Sequence, residues 1–249
     1  MKIIGSDYDG TLNHNGIDDA KKLAIEKWRS KGNVFALITG RGKESALEIY
    51  EEKRFGCDYL IADNGAVIMK PDGTVVSETR CDASVVKPLL KLIFELGCPW
   101  GHVHSDVSFR VYSDPSEREH HDEFLIDNMP DISYITQVST CYPTVEGAAE
   151  VTQRIRECFG DVLNPLQNGV CIDIVRADIN KAKGLYILMD ILGADYDDII
   201  AVGDNINDRD MITEFRSYAM ENGVEEIKNL ADFVTKGITE LIEKELSEA

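Results

Sequence analysis

Short, wholly apolar runs alternate with amphipathic segments from the start of the chain. Ile3-Ile4-Gly5-Ser6 runs into Asp7, Val34–Ile38 into Thr39-Gly40-Arg41, and Asp58-Tyr59-Leu60-Ile61-Ala62 into Asp63-Asn64-Gly65. Late in the chain Ile199-Ile200-Ala201-Val202 runs into Gly203-Asp204. Between these runs, Asp18–Lys31 carries Ala20, Leu23, Ala24 and Trp28 at helical spacing and stops at Gly32. Lys43 to about Glu52 and Lys181–Leu192 read as further helices, and another begins near Asp208. Pro71-Asp72-Gly73 predicts a tight hairpin turn. Strands apolar on both faces and separated by helices predict a parallel sheet covered on both sides.

The pattern changes between about Asp82 and Gln167. Val107–Tyr112 and Tyr134–Val138 mix apolar with polar residues, and amphipathic helices are expected near Ser84–Leu96 and Val145–Phe159. That pattern belongs to an α+β layer with one solvated sheet face. The prediction is therefore one α/β core, residues 1–81 and 168–249, interrupted by an inserted α+β domain, residues 82–167. The acidic, lysine-containing C-terminal stretch reads as a surface helix.

A chain of 249 residues with 43% apolar content can bury a substantial core. Its net charge of −19 argues against nucleic acid or an anionic membrane as a partner. A local phosphate site, where a metal and backbone amides set the potential, remains open. Cys57, Cys81, Cys98, Cys141, Cys158 and Cys171 form no Cys-x-x-Cys motif, so reduced, mostly buried thiols are expected. No apolar run approaches the ~20 residues of a membrane span, and the first residues do not read as a signal peptide. A soluble, cytoplasmic protein is the expectation.

The chemistry gathers at the strand ends. In an open parallel sheet the carboxyl ends of the strands share one edge, where ligands bind, so Asp7, Thr39 and Asp204 should converge. Two acids one residue apart at a buried strand end repel each other, and a divalent cation would relieve that repulsion. Asp7 can attack a phosphoryl group, and Asp9 can protonate the leaving oxygen and then deprotonate water. Gly10 permits a sharp turn, and Thr11 suits a cap or turn. Thr39 offers a hydroxyl, and Gly40 allows close backbone approach to an anion. Lys181 can neutralise that anion; Lys183 competes, and the offset from the Val170–Val175 strand favours Lys181. Asp204 is a candidate Mg²⁺ ligand, with Asp208 at the start of the next helix orienting ligands or metal-bound water. Arg41 and Asn64, also at strand ends, are candidates for contact with the leaving group. His102 and His104, and the adjacent His120 and His121, lack a completing metal-ligand spacing.

Taken together, Asp7-Tyr8-Asp9-Gly10-Thr11-Leu12, Thr39-Gly40-Arg41, Lys181 and Gly203-Asp204-Asn205-Ile206-Asn207-Asp208 resemble, in order, the four motifs of the haloacid dehalogenase-like phosphohydrolases. The position of the insertion, Asp63-Asn64-Gly65-Ala66 and Met220-Glu221-Asn222-Gly223 resemble the Cof-type subfamily, with Gly223 where Ala is usual and Tyr8 where Leu is commoner. The resemblance implies a Rossmann-like doubly wound core with a type-IIB cap that excludes water once substrate is bound. It implies Asp7 as nucleophile and Asp9 as acid/base. It also implies Mg²⁺ held by the Asp7 carboxylate, the Asp9 carbonyl and Asp204, and a phosphoryl group held by Thr39 and Lys181 with Asn207 close by. The activity expected is that of a phosphatase acting on a small phosphorylated metabolite, a sugar phosphate foremost. The alternatives are a phosphomannomutase-like phosphotransferase and an idle phosphate-ligand-binding regulator. No Gly-x-x-x-x-Gly-Lys-Ser/Thr loop supports a nucleotide-driven ATPase.

Overall fold

The computed structural model describes residues 1–117 and 123–248, so His120 and His121 lie outside the described residues. The chain divides into two compact units, one formed by Met1–Ser77 with Asn180–Ala249 and the other by Glu78–Ile179.

The first unit opens with strands β1 (Ile3–Asp7), β2 (Val34–Ile38), β3 (Tyr59–Ala62), β4 (Val67–Met69) and β5 (Val75–Glu78). Helices α1 (Asp19–Ser30) and α2 (Lys43–Lys53) separate the first three strands. The second unit contains β6 (Cys81–Asp82), α3 (Val86–Glu95), β7 (Trp100–His104), β8 (Phe109–Tyr112) and β9 (Phe124–Leu125). It continues with β10 (Tyr134–Ile135), β11 (Gln137–Cys141), α4 (Val145–Phe159), β12 (Leu163–Asn168) and β13 (Cys171–Arg176). The chain returns to the first unit with α5 (Lys181–Leu192), β14 (Ile199–Gly203), α6 (Arg209–Glu214) and β15 (Arg216–Met220). It closes with α7 (Glu225–Leu230), β16 (Phe233–Thr235) and α8 (Ile238–Glu248).

The first unit's sheet runs β16-β15-β14-β1-β2-β3-β4-β5. Pairing is parallel from β16 through β3, and β4 returns antiparallel to β3. Alternation along the strands explains the helical layers. Ile4, Phe35, Leu37, Leu60, Ile200 and Val202 pack with Trp28 of α1 and Leu241 of α8. Their neighbours Ile3, Ala36, Ile38, Ile61, Ile199 and Ala201 point the other way, onto Leu185 and Leu188 of α5. The Asp18 carboxylate caps α1 by accepting from the Lys21 N–H at 2.9 Å. The strand order reverses around β1, which makes its carboxyl end the switch point of the sheet.

The second unit holds a six-stranded sheet, β12-β13-β11-β7-β8-β9, antiparallel except for β8·β9, and a two-stranded β10·β6 ladder. One sheet face, with Val103, Val138, Ile172 and Ile174, packs on Leu89 and Ile93 of α3 and Val151 and Ile155 of α4. The register sets Asp173, Ser139, His102 and Arg110 side by side across four adjacent strands.

Three expectations need correction. The expected strand Tyr134–Val138 is two strands in two sheets, because Thr136 turns away and donates its N–H to His104 O at 2.9 Å. The return crossing expected after Gln167 falls after Ile179 instead, because β13 pairs with β11 and β12 of the second unit's sheet. Two of the thiols expected to be reduced are joined: Cys141 and Cys171 face each other across the antiparallel β11·β13 register and form a disulfide. Cys57, Cys81 and Cys98 are free and buried, and Cys158 is free and exposed. No helix among the described residues is long and apolar enough to cross a membrane.

Candidate active site

Each strand end at the switch point delivers a polar group. Asp7 is the last residue of β1, and its side chain is almost fully buried. The chain then makes a tight π-helical turn, Tyr8–Leu12, broken by Asp9 and by Gly10 at φ +86°. Gly10 is required twice over. Its φ suits glycine, and a Cβ there would lie 2.4 Å from Asp204 Oδ2. Thr11, expected in a cap or turn role, donates its hydroxyl to Asp204 Oδ1 at 2.7 Å and so ties this turn to the end of β14. Asn222 adds a second tie by donating to Gly10 O at 2.9 Å.

Lys181 opens α5 behind the Asn180 cap, whose side chain accepts from Lys183 N–H. Its ammonium donates to Asp7 Oδ1 and to Asp208 Oδ1, both at 2.6 Å, with the lysine 1% and Asp208 0% exposed. Its competitor Lys183 is exposed. The other oxygen of Asp208 accepts the N–H groups of Asp204 and Asn205 at 2.9 and 3.1 Å. Asp208 thus shapes the Gly203–Asp208 loop while it anchors the lysine. Its approach depends on Gly203, where a Cβ would meet the Asp208 carboxyl at 2.5 Å.

Oxygen atoms of Asp7, Asp204 and Asp208 lie within 4.8 Å of one another. Burial pushes the Asp7 carboxyl well above the ordinary carboxylate range; Lys181 opposes that rise and Asp208 adds to it. Burial also raises Asp204, which the Thr11 hydrogen bond partly offsets. For Lys181, burial acts downward, but the Asp208 and Asp7 carboxylates outweigh it and hold the ammonium above its ordinary value. Three carboxylates facing one ammonium leave a surplus of negative charge. Their oxygens are the hard donors that a divalent cation prefers.

Thr39 is buried just beyond β2, and its hydroxyl accepts from Arg41 N–H at 3.1 Å. Gly40 is half-buried beside it. Arg41 forms a two-pronged ion pair with Asp9, Nε to Oδ2 and Nη2 to Oδ1, both 2.8 Å. Both side chains are about half exposed, and the guanidinium stands 5.7 Å from the Tyr8 ring centre. Asn207 lies half-buried in the turn before α6. Asn64 is fully buried, which does not suit the leaving-group contact considered for it. The Arg41–Asp9 pair joins residues 32 apart in sequence and left no signal in the pattern.

An open α/β sheet whose switch point gathers a buried lysine and a cluster of acids is a site suited to a divalent cation and an anionic ligand. A family model described as haloacid dehalogenase-like hydrolase matches residues 4–240. The 5-amino-6-(5-phospho-D-ribitylamino)uracil phosphatase YitU of Bacillus subtilis is 25% identical over 258 residues, covering 94% of this chain and 91% of its own. A haloacid dehalogenase-like hydrolase from Bacillus subtilis shares the fold with a TM-score of 0.82 at 19% identity, over 98% of this chain and 99% of the other. TM0651 from Thermotoga maritima shares it with a TM-score of 0.76 at 24% identity, over 98% and 97%. The chain belongs to the haloacid dehalogenase-like hydrolase family, and it is an enzyme of the phosphoric monoester hydrolase class.

Proposed function

We propose that this enzyme is a Mg²⁺-dependent phosphatase of small phosphorylated metabolites, sugar or polyol phosphates foremost, working through an aspartyl-phosphate on Asp7. The observation that carries the reading is the Asp7–Lys181–Asp208 chain, almost fully buried at the end of β1 and beside Asp204. Asp7 and Asp204 are the residues that would hold the cation, with the Asp9 carbonyl, because both oxygens of Asp208 are already engaged. Bound there, Mg²⁺ would offset the surplus negative charge and draw electron density from a phosphoryl oxygen.

The chain's own residues divide the work as follows. An Asp7 oxygen attacks phosphorus while the bond to the leaving oxygen breaks, and that oxygen takes its proton from Asp9. Water then gives a proton to Asp9 and attacks phosphorus, which releases phosphate and restores Asp7. Lys181 and the Thr39 hydroxyl stabilise charge on the phosphoryl oxygens in flight. Asp9 is paired with Arg41 on both oxygens, so a substrate must draw Arg41 away before Asp9 meets the leaving group. Hydroxyl-rich leaving groups suit that exchange. The named substrate of the Bacillus subtilis relative, a phosphorylated ribityl compound, supports the same class.

The test is phosphate release from a panel of sugar, polyol, nucleotide and aryl phosphates, with and without Mg²⁺, alongside Asp7→Asn. Release that requires Mg²⁺ and disappears in Asp7→Asn is expected. Release that persists in Asp7→Asn contradicts the mechanism.

A further inference from the structure

The turn after β3 is strained and wholly buried, and it touches both halves of the phosphoryl-binding apparatus. Asp63 and Asn64 take φ of +49° and +52°, followed by Gly65 at +108°. Two adjacent non-glycine residues in the left-handed region are costly, and such strain persists only where the surroundings impose it. Both side chains are 0% exposed, so neither offers itself to a ligand. The backbone amides show what the strain achieves. Asp63 N–H donates to Arg41 O at 2.9 Å, and Asn64 N–H donates to Thr39 O at 3.0 Å. Together they fix the carbonyls on either side of Gly40.

The far side of the same turn meets the helix that carries Lys181. A Cβ on Gly65 would lie 2.4 Å from Asn180 O, the carbonyl that accepts the first helical bond of α5 from Gly184 N–H. A Cβ on Gly184 would lie 2.7 Å from Gly65 Cα and 2.9 Å from Ile61 Cγ2. Backbone therefore packs on backbone there, with no side chain between.

We propose that Asp63-Asn64-Gly65 is a positioning element that sets the spacing between the Thr39–Arg41 loop and the Lys181 ammonium. The inference rests on the phosphatase reading. The turn acts through its backbone: its amides hold one phosphoryl-binding segment, and its glycine seats the other. Displacing either by a fraction of an ångström spoils in-line transfer and leaves the fold intact.

The test compares Asn64→Gly with Asn64→Ala, then adds Gly184→Ala, using p-nitrophenyl phosphate and inhibition by inorganic phosphate. Both changes at residue 64 remove the same side-chain functions, but only glycine keeps the left-handed conformation at no steric cost. The expected result is near-wild-type kcat in Asn64→Gly and a markedly lower kcat in Asn64→Ala, each measured well below its melting temperature. Gly184→Ala improves intrinsic helix propensity. It should nevertheless lose about 100-fold in kcat and be inhibited less by phosphate. A purely structural turn would change the melting temperature and leave kcat per folded enzyme alone. Equal kcat in the two residue-64 variants, or wild-type kcat and phosphate inhibition in Gly184→Ala, overturns the inference while the phosphatase reading stands. A wild-type enzyme that releases no phosphate removes that reading, and the inference with it.

Discussion

Replacing Lys181 by Met removes the one ammonium shared by Asp7 and Asp208, each 2.6 Å away and each almost fully buried. Deleting one partner of a buried ion pair costs about 3–5 kcal/mol, because the charge left behind has neither water nor a counter-ion. The loss should not double for two carboxylates. Asp208 keeps the Asp204 and Asn205 amides on its other oxygen, and Asp7, already pushed up by burial, can take a proton. A destabilisation of about 3–5 kcal/mol, or about 10 °C in melting temperature, is therefore expected. The pH dependence follows from the direction of the shift. Without the ammonium the Asp7 carboxyl, already raised by burial, rises further above its unfolded value. The added penalty is absent where Asp7 is protonated in both folded proteins, and it grows as pH rises from the wild-type folded value to the variant's, levelling off above it. The gap between variant and wild type should therefore narrow from pH 7 towards pH 4. Urea titration followed by Trp28 fluorescence measures it, because Trp28 is buried between α1 and the first unit's sheet. A Trp100→Phe background removes the other of the two tryptophans. A variant within about 1 kcal/mol of wild type, with a gap unchanged by pH, would mean that the Lys181 pairs contribute no more than an exposed pair does.

Other consequences can be measured separately. Gly10→Ala should lower kcat at least about 100-fold, because its Cβ would displace the Asp204 carboxylate; steady-state kinetics on an aryl phosphate checks this. Mg²⁺ should raise the melting temperature of the wild type, by about 2.7 kcal/mol of stability at one hundred times its dissociation constant, and Asp204→Asn should abolish the shift seen by calorimetry. Glu245 is 0% exposed and accepts from Tyr218, Arg216 and Lys2; burial acts to raise its value, but these donors outweigh it and hold the carboxyl below the usual range. Its stabilisation is present above the unfolded value of about 4.3 and lost as pH falls through the folded one, so the deficit of Glu245→Gln in urea should shrink on acidification. Arg41→Met should leave stability within about 1 kcal/mol, since its pair with Asp9 is half exposed. It should reduce kcat/KM more for a polyol phosphate, whose hydroxyls Arg41 would meet once drawn from Asp9, than for p-nitrophenyl phosphate, whose leaving group offers none.

The strand ends could be read because burial on both sides of a parallel sheet writes unbroken apolar runs, and a polar residue after such a run marks the ligand-binding edge. That is how Asp7, Thr39 and Asp204 announced themselves. Lys181 was legible only through its offset from the preceding strand, and its burial between two acids was not. Contacts that depend on tertiary approach left no periodic trace: Thr11 on Asp204, Arg41 on Asp9, and both oxygens of Asp208 engaged. The second unit's limits were misjudged for a related reason. Cys171-Ile172-Asp173-Ile174 alternates, with Ile172 and Ile174 buried and Cys171 and Asp173 only half-buried, as a strand with one covered face should. That alternation is the signal that would have assigned β13 to the antiparallel sheet. The disulfide follows from register, which residue spacing alone does not fix.

The most direct test of the central claim is to look for the phosphoryl group on Asp7. A radiolabelled phosphomonoester is mixed with enzyme and Mg²⁺, the reaction is stopped in acid within the first turnover, and the digested protein is searched by mass spectrometry. Label is expected on the peptide containing Asp7, chased off by further incubation in water and absent in Asp7→Asn. Full turnover with no label on that peptide, or equal labelling in Asp7→Asn, would contradict that claim.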